Sequence, residues 1–354
     1  FINKRIKLIM AYTTINKSSD FFNTKLYTGN GSTNAITGVG FQPDMTWLKI
    51  RTQSYSHRIY DAVRGVTKYV HPDTTEVEYT TATSLTAFNS DGFTLGSNAG
   101  DNKSGDTFVS WNWKANGQGS SNTDGSINTT YTSVNTTAGF SICSYTGTGA
   151  NATIGHGLGS VPKMIITKKL NSTENWKTYH ASLGNDKKVQ LDTSDASSSF
   201  SGWNDTTPTS SLIYFSDNAG VNGSGDTYIA YCFAEKTGYS KFGSYVGNGN
   251  ADGTFIYTGF KPAFVLFKGS TIAENWWMFD TKRSESNVAN DGLIASTNNS
   301  EYSNSATFKI DILSNGFKIR DSDSFANSSG NTYIYMCFAE APLVGSNNVP
   351  CTAR

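Results

Sequence analysis

Two glutamates begin the same tripeptide, and they are the first residues in this sequence whose pairing could do chemistry. Glu174 and Glu274 each open Glu-Asn-Trp. Two carboxylates that flank a glycosidic bond can hydrolyse it, one as general acid and the other as base or nucleophile. The simpler interpretation is structural, with each Glu capping a turn and each Trp filling a core, and we favour it.

Four histidines are also suited to catalysis, but their spacing indicates no known type of site. They form no His-Glu-x-x-His motif, and no two of them have metal-ligand spacing. The sequence also lacks a Gly-x-Ser-x-Gly elbow and a phosphate-binding loop. We therefore predict that the protein is not an enzyme, and we interpret His180 as non-catalytic. The histidines are His57, His71, His156 and His180.

Three similar loops rich in Gly, Ser, Asn and Asp raise the question of calcium. They span residues 101–106, 221–226 and 327–331. Calcium prefers several hard oxygen ligands that include carboxylates, but the third loop has Asn where the other two have Asp. We predict instead an Asx-type turn that leads into a strand, with no metal and no cofactor.

Four tryptophans are the candidate glycan-binding residues, because an exposed aromatic ring can stack on the apolar face of a sugar. Trp176 and Trp276 occupy equivalent positions in two copies, so they are alternatively interpreted as core residues. Trp203 and Trp277 each occur in one copy of the repeat described next, which favours a surface role for them.

An internal repeat positions all of these residues. Four landmarks recur three times in the same order, separated by 118–120 residues and then by 100–105 residues. Each copy is long enough to be a domain, which excludes short solenoid repeats. The landmarks are Tyr27, Tyr145 and Tyr245; Pro43, Pro162 and Pro262; Tyr60, Tyr179 and Phe279; and Gly105, Gly225 and Gly330.

The composition within each copy favours β structure. Aromatic residues make up 13% of the chain, and Thr, Tyr, Phe, Val and Ile fit a pleated, half-buried surface. Residues 228–233 alternate loosely and 263–267 form a continuous apolar run, both bounded by turn residues. We predict an all-β protein with three tandem β-sandwich domains of jelly-roll or lectin-like type, and a barrel is the alternative.

The landmarks also predict the domain boundaries. The composition of the segment between the first two copies, rich in Gly, Ser, Asn and Thr, predicts a flexible linker, and the alternative is an ordered arm that crosses to a neighbour. The basic residues before Met10 are interpreted as an extension that is not native. The predicted parts are an N-terminal segment (1–24, of which 1–9 are the extension), three repeats (25–115, 138–238 and 239–345), the linker (116–137) and a C-terminal tail (346–354).

Charge, hydropathy and cysteine usage exclude several classes of protein. The net charge is zero, so no basic patch for nucleic acid is indicated. No run of 18 apolar residues exists, which argues against membrane insertion. None of the four cysteines forms a Cys-x-x-Cys pair, so we expect neither a zinc site nor a disulfide framework. We interpret Cys232 and Cys337 as small buried strand residues.

Several long motifs resemble a known group of proteins. GHGLGSVPKMIITKK at 155–169, NGSGDTYIAYCFAEKTGYSKFGSYVGNG at 222–249 and TYIYMCFAEAPLVGSNNVP at 332–350 are similar to repeat-bearing virion proteins of tailed bacteriophages, chiefly marine ones. These are described as tail fibre proteins or as proteins of unknown function. The resemblance covers the chain from about Tyr27 to its end. It implies a phage structural protein, commonly trimeric, and supplies no catalytic residue.

The leading hypothesis is therefore a non-enzymatic virion protein, a tail or head fibre that binds host-surface glycans. Its expected partners are further copies of itself in a homotrimer, other virion proteins and a glycan, and its expected location is the phage particle after synthesis in the bacterial cytoplasm. A capsid decoration protein is the first alternative. A tailspike that depolymerises glycans is the second.

Overall fold

The computed structural model describes residues 12–344, and this part of the chain is built of antiparallel β-sheets. Helix is limited, in the described residues, to three α-helices of four residues and two 3-10 helices. The prediction of an all-β protein is confirmed. No helix within residues 12–344 has the length and apolar character needed to cross a membrane. The predicted extension at 1–9 and tail at 346–354 lie outside the described residues.

The first repeat combines a four-stranded and a three-stranded sheet. Its elements are a 3-10 helix (Ser18–Asp20), β1 (Phe22–Thr28), β2 (Asn34–Thr37), β3 (Met45–Ile50), β4 (Arg58–Asp61), β5 (Lys68–Tyr69), β6 (Tyr79–Thr80), β7 (Leu85–Asn89), β8 (Gly92–Leu95), α1 (Ala99–Asn102) and β9 (Thr107–Trp113). The larger sheet has the order β1-β9-β3-β4 and the smaller one β2-β8-β7, while β5 pairs with β6.

The second repeat follows the same plan, with one strand more in its large sheet and one fewer in its small sheet. Its elements are β10 (Tyr131–Asn135), β11 (Phe140–Thr146), β12 (Ala152–Gly155), β13 (Pro162–Lys169), β14 (Lys177–His180), β15 (Lys187–Lys188), β16 (Ser198–Ser199), a 3-10 helix (Ser201–Trp203), β17 (Leu212–Phe215), α2 (Ala219–Asn222) and β18 (Thr227–Ala234). The larger sheet has the order β10-β11-β18-β13-β14, and β12 pairs with β17.

The third repeat ends with the longest strand. Its elements are β19 (Ser240–Val246), β20 (Phe255–Tyr257), β21 (Phe260–Gly269), β22 (Trp277–Asp280), β23 (Leu293–Ile294), β24 (Ile310–Leu313), β25 (Gly316–Ile319), α3 (Ser324–Asn327) and β26 (Thr332–Pro342). The larger sheet has the order β19-β26-β21-β22-β23 and the smaller one β20-β25-β24.

Corresponding landmarks therefore carry the same strand pairing in all three repeats. The strands that carry the tyrosine landmark (β1, β11 and β19) pair with the last strands of their repeats (β9, β18 and β26). Each last strand also pairs with the strand at the proline landmark (β3, β13 or β21), which in turn pairs with its successor. Each short α-helix is capped by an Asx side chain that accepts a backbone N–H two residues ahead, from Asn98, Asn218 or Asp323. These caps precede the loops for which the sequence predicted an Asx-type turn; within those loops the amide oxygens of Asn102, Asn222 and Asn327 accept instead from the N–H groups of Asn30, Thr148 and Asn248.

The large sheets bury both of their faces, which explains the aromatic-rich strands. On β26, Ile334 and Met336 face a cluster shared by all three repeats, whereas Tyr335 and Cys337 face a cluster confined to the third repeat. Side chains alternate between the two faces of a strand, so a strand covered on both sides is apolar throughout. The same alternation holds on β18 in the second repeat.

The shared cluster forms the centre of the molecule. Each repeat also has a smaller cluster between its own large and small sheets. The three interiors are therefore not separate, because the outer faces of the three large sheets pack on one another. The central cluster includes Trp47, Trp111, Trp113, Phe140, Trp176, Tyr231, Phe233, Phe264, Trp276, Met336 and Phe338.

Three equivalent backbone hydrogen bonds join the repeats in a closed ring. The three carbonyl acceptors occupy equivalent positions, each two residues after a lysine in β3, β13 or β21 (Lys49, Lys168 and Lys268). The pairs are the N–H of Glu78 with the carbonyl of Leu170 (2.9 Å), the N–H of Ser197 with the carbonyl of Ser270 (2.9 Å), and the N–H of Glu301 with the carbonyl of Arg51 (2.8 Å).

The segment 116–137, predicted as a linker, is built into the second repeat. It contains β10, which pairs along its length with β11. Upstream, the N–H of Ile127 donates to the carbonyl of Thr153 at 2.9 Å, and the Ile127 side chain joins the core cluster of this repeat. In the structure the segment is therefore an ordered part of the second repeat.

Candidate functional site

The four tryptophans expected to bind glycans are core residues in the structure. Trp176, Trp203, Trp276 and Trp277 are at most 3% exposed. Because their faces are covered by protein, they offer no surface on which a sugar could stack, and the assignment of these residues as the glycan site is corrected here. All seven tryptophans of the chain are buried.

Hydrogen bonds between repeats explain why the equivalent pair is buried. The indole Nε1 of Trp176 donates to the carbonyl of His71 in the first repeat at 3.0 Å. The indole Nε1 of Trp276 donates to the carbonyl of Gln190 in the second repeat at 2.7 Å. Each indole thus seals a junction with the preceding repeat while its ring fills the central cluster.

The two glutamates have structural partners. Glu174 forms a 2.8 Å ion pair with Lys177. Burial by itself would raise the pKa of Glu174, but the hydrogen bond and charge of Lys177 outweigh it and lower the pKa. The carboxylate of Glu274 accepts a hydrogen bond from Ser324. A general acid for glycoside hydrolysis needs a raised pKa, so the environment of Glu174 does not prepare it for that role.

The position of His180 belongs to a second set of contacts that runs around the ring. Asp61 of the first repeat accepts a 2.7 Å hydrogen bond from the hydroxyl of Tyr231 in the second. Asp280 of the third repeat accepts a 3.1 Å hydrogen bond from the indole Nε1 of Trp111 in the first. His180 is their equivalent in the second repeat, and it faces the third.

A change of partner accounts for the histidine. The residue of the third repeat that corresponds to Tyr231 and Trp111 is Met336, which has no N–H or O–H to donate to a carboxylate. His180 instead places Nε2 at 3.2 Å from the carbonyl of Tyr335, to which it donates as the neutral imidazole. Burial lowers the pKa of His180 to about 4. The side chain is thus a structural contact between repeats.

Three equivalent lysines are buried at the same junctions. The ammonium of Lys168 donates to the carbonyls of Thr75 at 3.0 Å and Glu174 at 2.6 Å. Lys268 donates in the same way to Ser194 at 2.8 Å. Burial lowers the pKa of each lysine to about 8. The third member of the set is Lys49.

The loops considered for calcium are filled by protein hydrogen bonds. Asp101 is buried and bound by Arg58 at 2.8 Å and by the hydroxyl of Tyr60 at 2.9 Å. The buried Asn222 accepts from the N–H of Thr148 at 2.9 Å and donates to two backbone carbonyls. Within residues 12–344, no group of three His, Cys, Asp or Glu side chains could hold a metal ion.

The cysteines in the described part of the chain are Cys143, Cys232 and Cys337, and all three are buried free thiols. Cys232 and Cys337 lie at equivalent places in the last strands of their repeats, as interpreted from the sequence. Burial raises the pKa of Cys337 well above its ordinary value. Cys351 lies outside the described residues.

The most exposed aromatic surface of the described chain lies on the third repeat. Tyr257 is 54% exposed, and Phe255 projects from the same face of β20 because the two residues flank the buried Ile256. Tyr12 lies beside Tyr257, and the two line a cavity of about 160 Å³ at the joint between the second and third repeats. We call this cavity the tyrosine pocket.

Two glycines allow Tyr12 to reach this place. Its hydroxyl donates to the carbonyl of Gly259 at 2.7 Å, and a Cβ at residue 259 would lie only 2.5 Å from that hydroxyl oxygen. At Gly238 a Cβ would approach Thr13 to 2.9 Å and the ring of Tyr12 to 3.3 Å. Both glycines also have positive φ, which disfavours any other residue. Burial and the neighbouring Tyr257 raise the pKa of Tyr12.

The rest of the tyrosine pocket is polar. Glu235 and Lys241 form a 2.8 Å ion pair on its wall, and both side chains are partly open to solvent. Thr237 lines the pocket between them. Aromatic faces beside a carboxylate and an ammonium can hold a polyhydroxylated molecule, since the rings pack on C–H faces and the charged groups bind hydroxyls.

Sequence reasoning missed this pocket because it considered only tryptophans as stacking residues. The signal was present in the repeat alignment: Phe255 and Tyr257 stand where the first repeat has Ala35 and Thr37. Large aromatics that flank a core residue in a strand belong on the opposite, outer face.

Comparison with known proteins places the chain in a family. Residues 17–342 match the family described as Domain of unknown function (DUF7483), so the chain belongs to that family. No curated protein and no solved structure matches the chain.

Proposed function

We propose that this member of the Domain of unknown function (DUF7483) family is a non-enzymatic structural protein of a tailed-phage virion, of the fibre type, which binds host-surface glycans through the tyrosine pocket. The virion assignment rests on the sequence resemblance of the repeats. The binding assignment rests on one observation, the exposed Tyr12 and Tyr257 beside the Glu235–Lys241 ion pair.

The shape of the tyrosine pocket supports weak binding of a sugar residue. The cavity is small and open, so a single glycan unit would contact only the two rings and a few polar groups. Many copies on one particle raise the overall strength of attachment without any strong single contact. A homotrimer of three-repeat chains is the assembly that we propose on this ground and on the resemblance.

The closed ring of repeats supports a structural role. Each repeat contributes one face of its large sheet to the central cluster and is joined to both neighbours by hydrogen bonds. A domain with a shared core opens only by exposing much apolar surface at once, which disfavours local unfolding. A protein displayed outside the cell benefits from that property.

The binding assignment is tested on a glycan array with fluorescently labelled protein. We expect Tyr257→Ala to lose binding to at least one glycan that the wild-type protein retains. Tyr55→Ala is the control, because Tyr55 is also an exposed tyrosine but lies in the first repeat, away from the pocket. Equal binding by wild-type protein and the Tyr257 variant would remove the tyrosine pocket from the proposal.

The virion assignment is tested by labelling the protein on purified particles with an antibody and counting copies. A few dozen copies at the tail or as head fibres support a fibre. Hundreds of copies spread over the shell favour the capsid decoration alternative, and absence from the particle contradicts both. Release of oligosaccharides from host polysaccharide, abolished by Glu174→Gln or Glu274→Gln, would instead establish the depolymerising tailspike.

A further inference from the structure

A second cavity lies between the first and second repeats, far in sequence from the tyrosine pocket. Its volume is about 430 Å³, which falls in the range of roughly 300–1,000 Å³ typical of small-molecule sites. We call it the seam cleft. Its walls come from three parts of the chain: Lys68 and Glu78 of the first repeat, Asn171 of the second, and Gln118 and Tyr131 of the segment 116–137.

The equivalent junction between the third and first repeats shows why the seam cleft is open. There, Arg51 and Glu301 form a 2.6 Å ion pair across the junction, and the remaining cavity is about 210 Å³. At the seam cleft the position of Arg51 is taken by Leu170, which cannot reach across to a carboxylate. Glu78 is bound instead by Lys68 of its own repeat at 3.2 Å.

The segment 116–137 adds a wall that the other junctions lack. Only five residues, 235–239, separate the last strand of the second repeat from the first strand of the third, so that connection is too short to form a similar arm. At the seam cleft, β10 extends the large sheet and presents Thr130 and Tyr131 to the cavity. The insertion therefore supplies one wall of the cavity at this junction.

The charges around the seam cleft are balanced. Arg64 lies at its base and is held by Asp61 at 2.5 Å, while its second contact is Glu78 at 3.4 Å. Of the groups that line the cavity, Arg64 and Lys68 are cations and Glu78 is an anion; the buried Asp61 does not line it, but its ion pair with Arg64 neutralises the second cation. Because the site carries no excess positive charge, its electrostatic potential does not favour a phosphate, a sulfate or a carboxylated sugar over a neutral molecule.

Several polar groups at the seam cleft are not used by the fold. Within residues 12–344, the side chains of Gln118, Thr130 and Thr146 and the hydroxyl of Tyr131 make no intramolecular hydrogen bond. They supply donors and acceptors in several directions, and the Tyr131 ring supplies an aromatic surface beside them. This combination of neutral hydrogen-bonding groups and one ring suits a molecule that carries many hydroxyls and apolar C–H faces.

We propose that the seam cleft binds a neutral oligosaccharide of two or three sugar units. The site is separate from the tyrosine pocket and does not depend on the function proposed above. Tyr131 stacks against one sugar ring, the Gln118 amide and the threonine hydroxyls bind its hydroxyl groups, and Glu78 accepts a hydrogen bond at the floor of the cleft.

The test measures binding to two sets of probes by glycan array and by isothermal titration calorimetry. The neutral probes are maltose, cellobiose, lactose and their trisaccharide homologues, and the anionic probes are sialyllactose and glucose 6-phosphate. We expect the wild-type chain to bind at least one neutral glycan, and Tyr131→Ala and Gln118→Ala each to weaken that binding about tenfold or more, which corresponds to about 1.4 kcal/mol.

Ser300→Ala is the matched control, because Ser300 lines the equivalent cavity between the third and first repeats. This variant and Tyr257→Ala are expected to bind the same neutral glycan as the wild-type chain. Gln118 is exposed, so its replacement leaves the fold intact, which a thermal melt checks. Preference for the anionic probes, or binding unaffected by both cleft variants, overturns the proposal. The proposal is also overturned if the wild-type chain binds no neutral glycan.

Discussion

Replacing Glu301 by Gln tests whether the junction that closes the ring is important for stability. This junction joins the third repeat to the first, two parts of the chain that no short connection holds together. The carboxylate of Glu301 is 2% exposed and receives hydrogen bonds from Arg51 at 2.6 and 2.9 Å and from Arg283 at 3.1 Å. Gln has the same shape but no charge, so both guanidinium groups lose their shared anion.

The expected loss follows from how well each arginine is supported afterwards. Removing one partner of a buried ion pair costs about 3–5 kcal/mol. Arg283 is fully buried but keeps Asp280 at 2.5 Å, and Arg51 is partly exposed and can be solvated. We therefore expect the lower end of that range, a decrease of about 3 kcal/mol in the free energy of unfolding.

Glu78→Gln is the control, because Glu78 occupies the equivalent junction between the first and second repeats. Its partner Lys68 is 43% exposed, and exposed pairs contribute about 0–1 kcal/mol. Arg64 keeps its 2.5 Å contact with Asp61. We expect a loss of about 1 kcal/mol or less.

Both variants are measured by urea denaturation at neutral pH, followed by tryptophan fluorescence, since every tryptophan is buried. The midpoint shifts at constant m-value are compared with the wild-type chain. The reasoning is refuted if Glu301→Gln loses less than about 1 kcal/mol, or if it loses no more than Glu78→Gln.

Four other outcomes are expected. Burial lowers the pKa of Lys168 to about 8, so between pH 8 and 10 the unfolded chain binds more protons than the folded one. The free energy of unfolding of the wild type should therefore rise, relative to that of Lys168→Met, by up to about 1 kcal/mol per pH unit over this range in urea titrations. No difference in pH dependence between the two would contradict this. Because the pKa of His180 is about 4 in the folded chain and about 6.5 in the unfolded chain, the free energy of unfolding should fall as pH falls below about 6.5. His180→Asn should reduce this decrease in thermal melts at acid pH. Asn222→Ala should cost about 3 kcal/mol for its three hydrogen bonds, whereas the exposed Asn171→Ala should cost much less. Residues 116–238, the second repeat with its strand β10, should bind a hydrophobic dye and lack a cooperative melt when expressed alone, and a sharp melt would refute the shared core.

The shared core changes how the repeat should be understood. A strand of the pattern Tyr-Ile-Ala-Tyr-Cys-Phe at 228–233 indicates that both of its faces are buried, and the structure agrees. The pattern does not reveal what covers the second face. In this chain the large sheets of the other two repeats cover it, so the repeats are joined through their cores as well as through the chain.

The contrast between Asp61, His180 and Asp280 shows the same limit. The alignment places these residues at one position, and the sequence supports treating His180 as structural. The reason for the change lies in the neighbouring repeat, where Met336 replaces a hydrogen-bond donor. This reason is visible only in the folded structure, because His180 and its partner Tyr335 are 155 positions apart in the sequence.

The sequence by itself determined the β class, the threefold repetition and the strands with two buried faces, because these depend on local backbone preference and on the alternation of neighbouring side chains. Only the tertiary structure decided that Trp176, Trp203, Trp276 and Trp277 are interior, that the segment 116–137 forms part of the second repeat, and that the exposed ring is that of Tyr257. Exposure depends on which distant surface covers a residue, and an aromatic side chain has the same composition signal whether it fills a core or faces solvent.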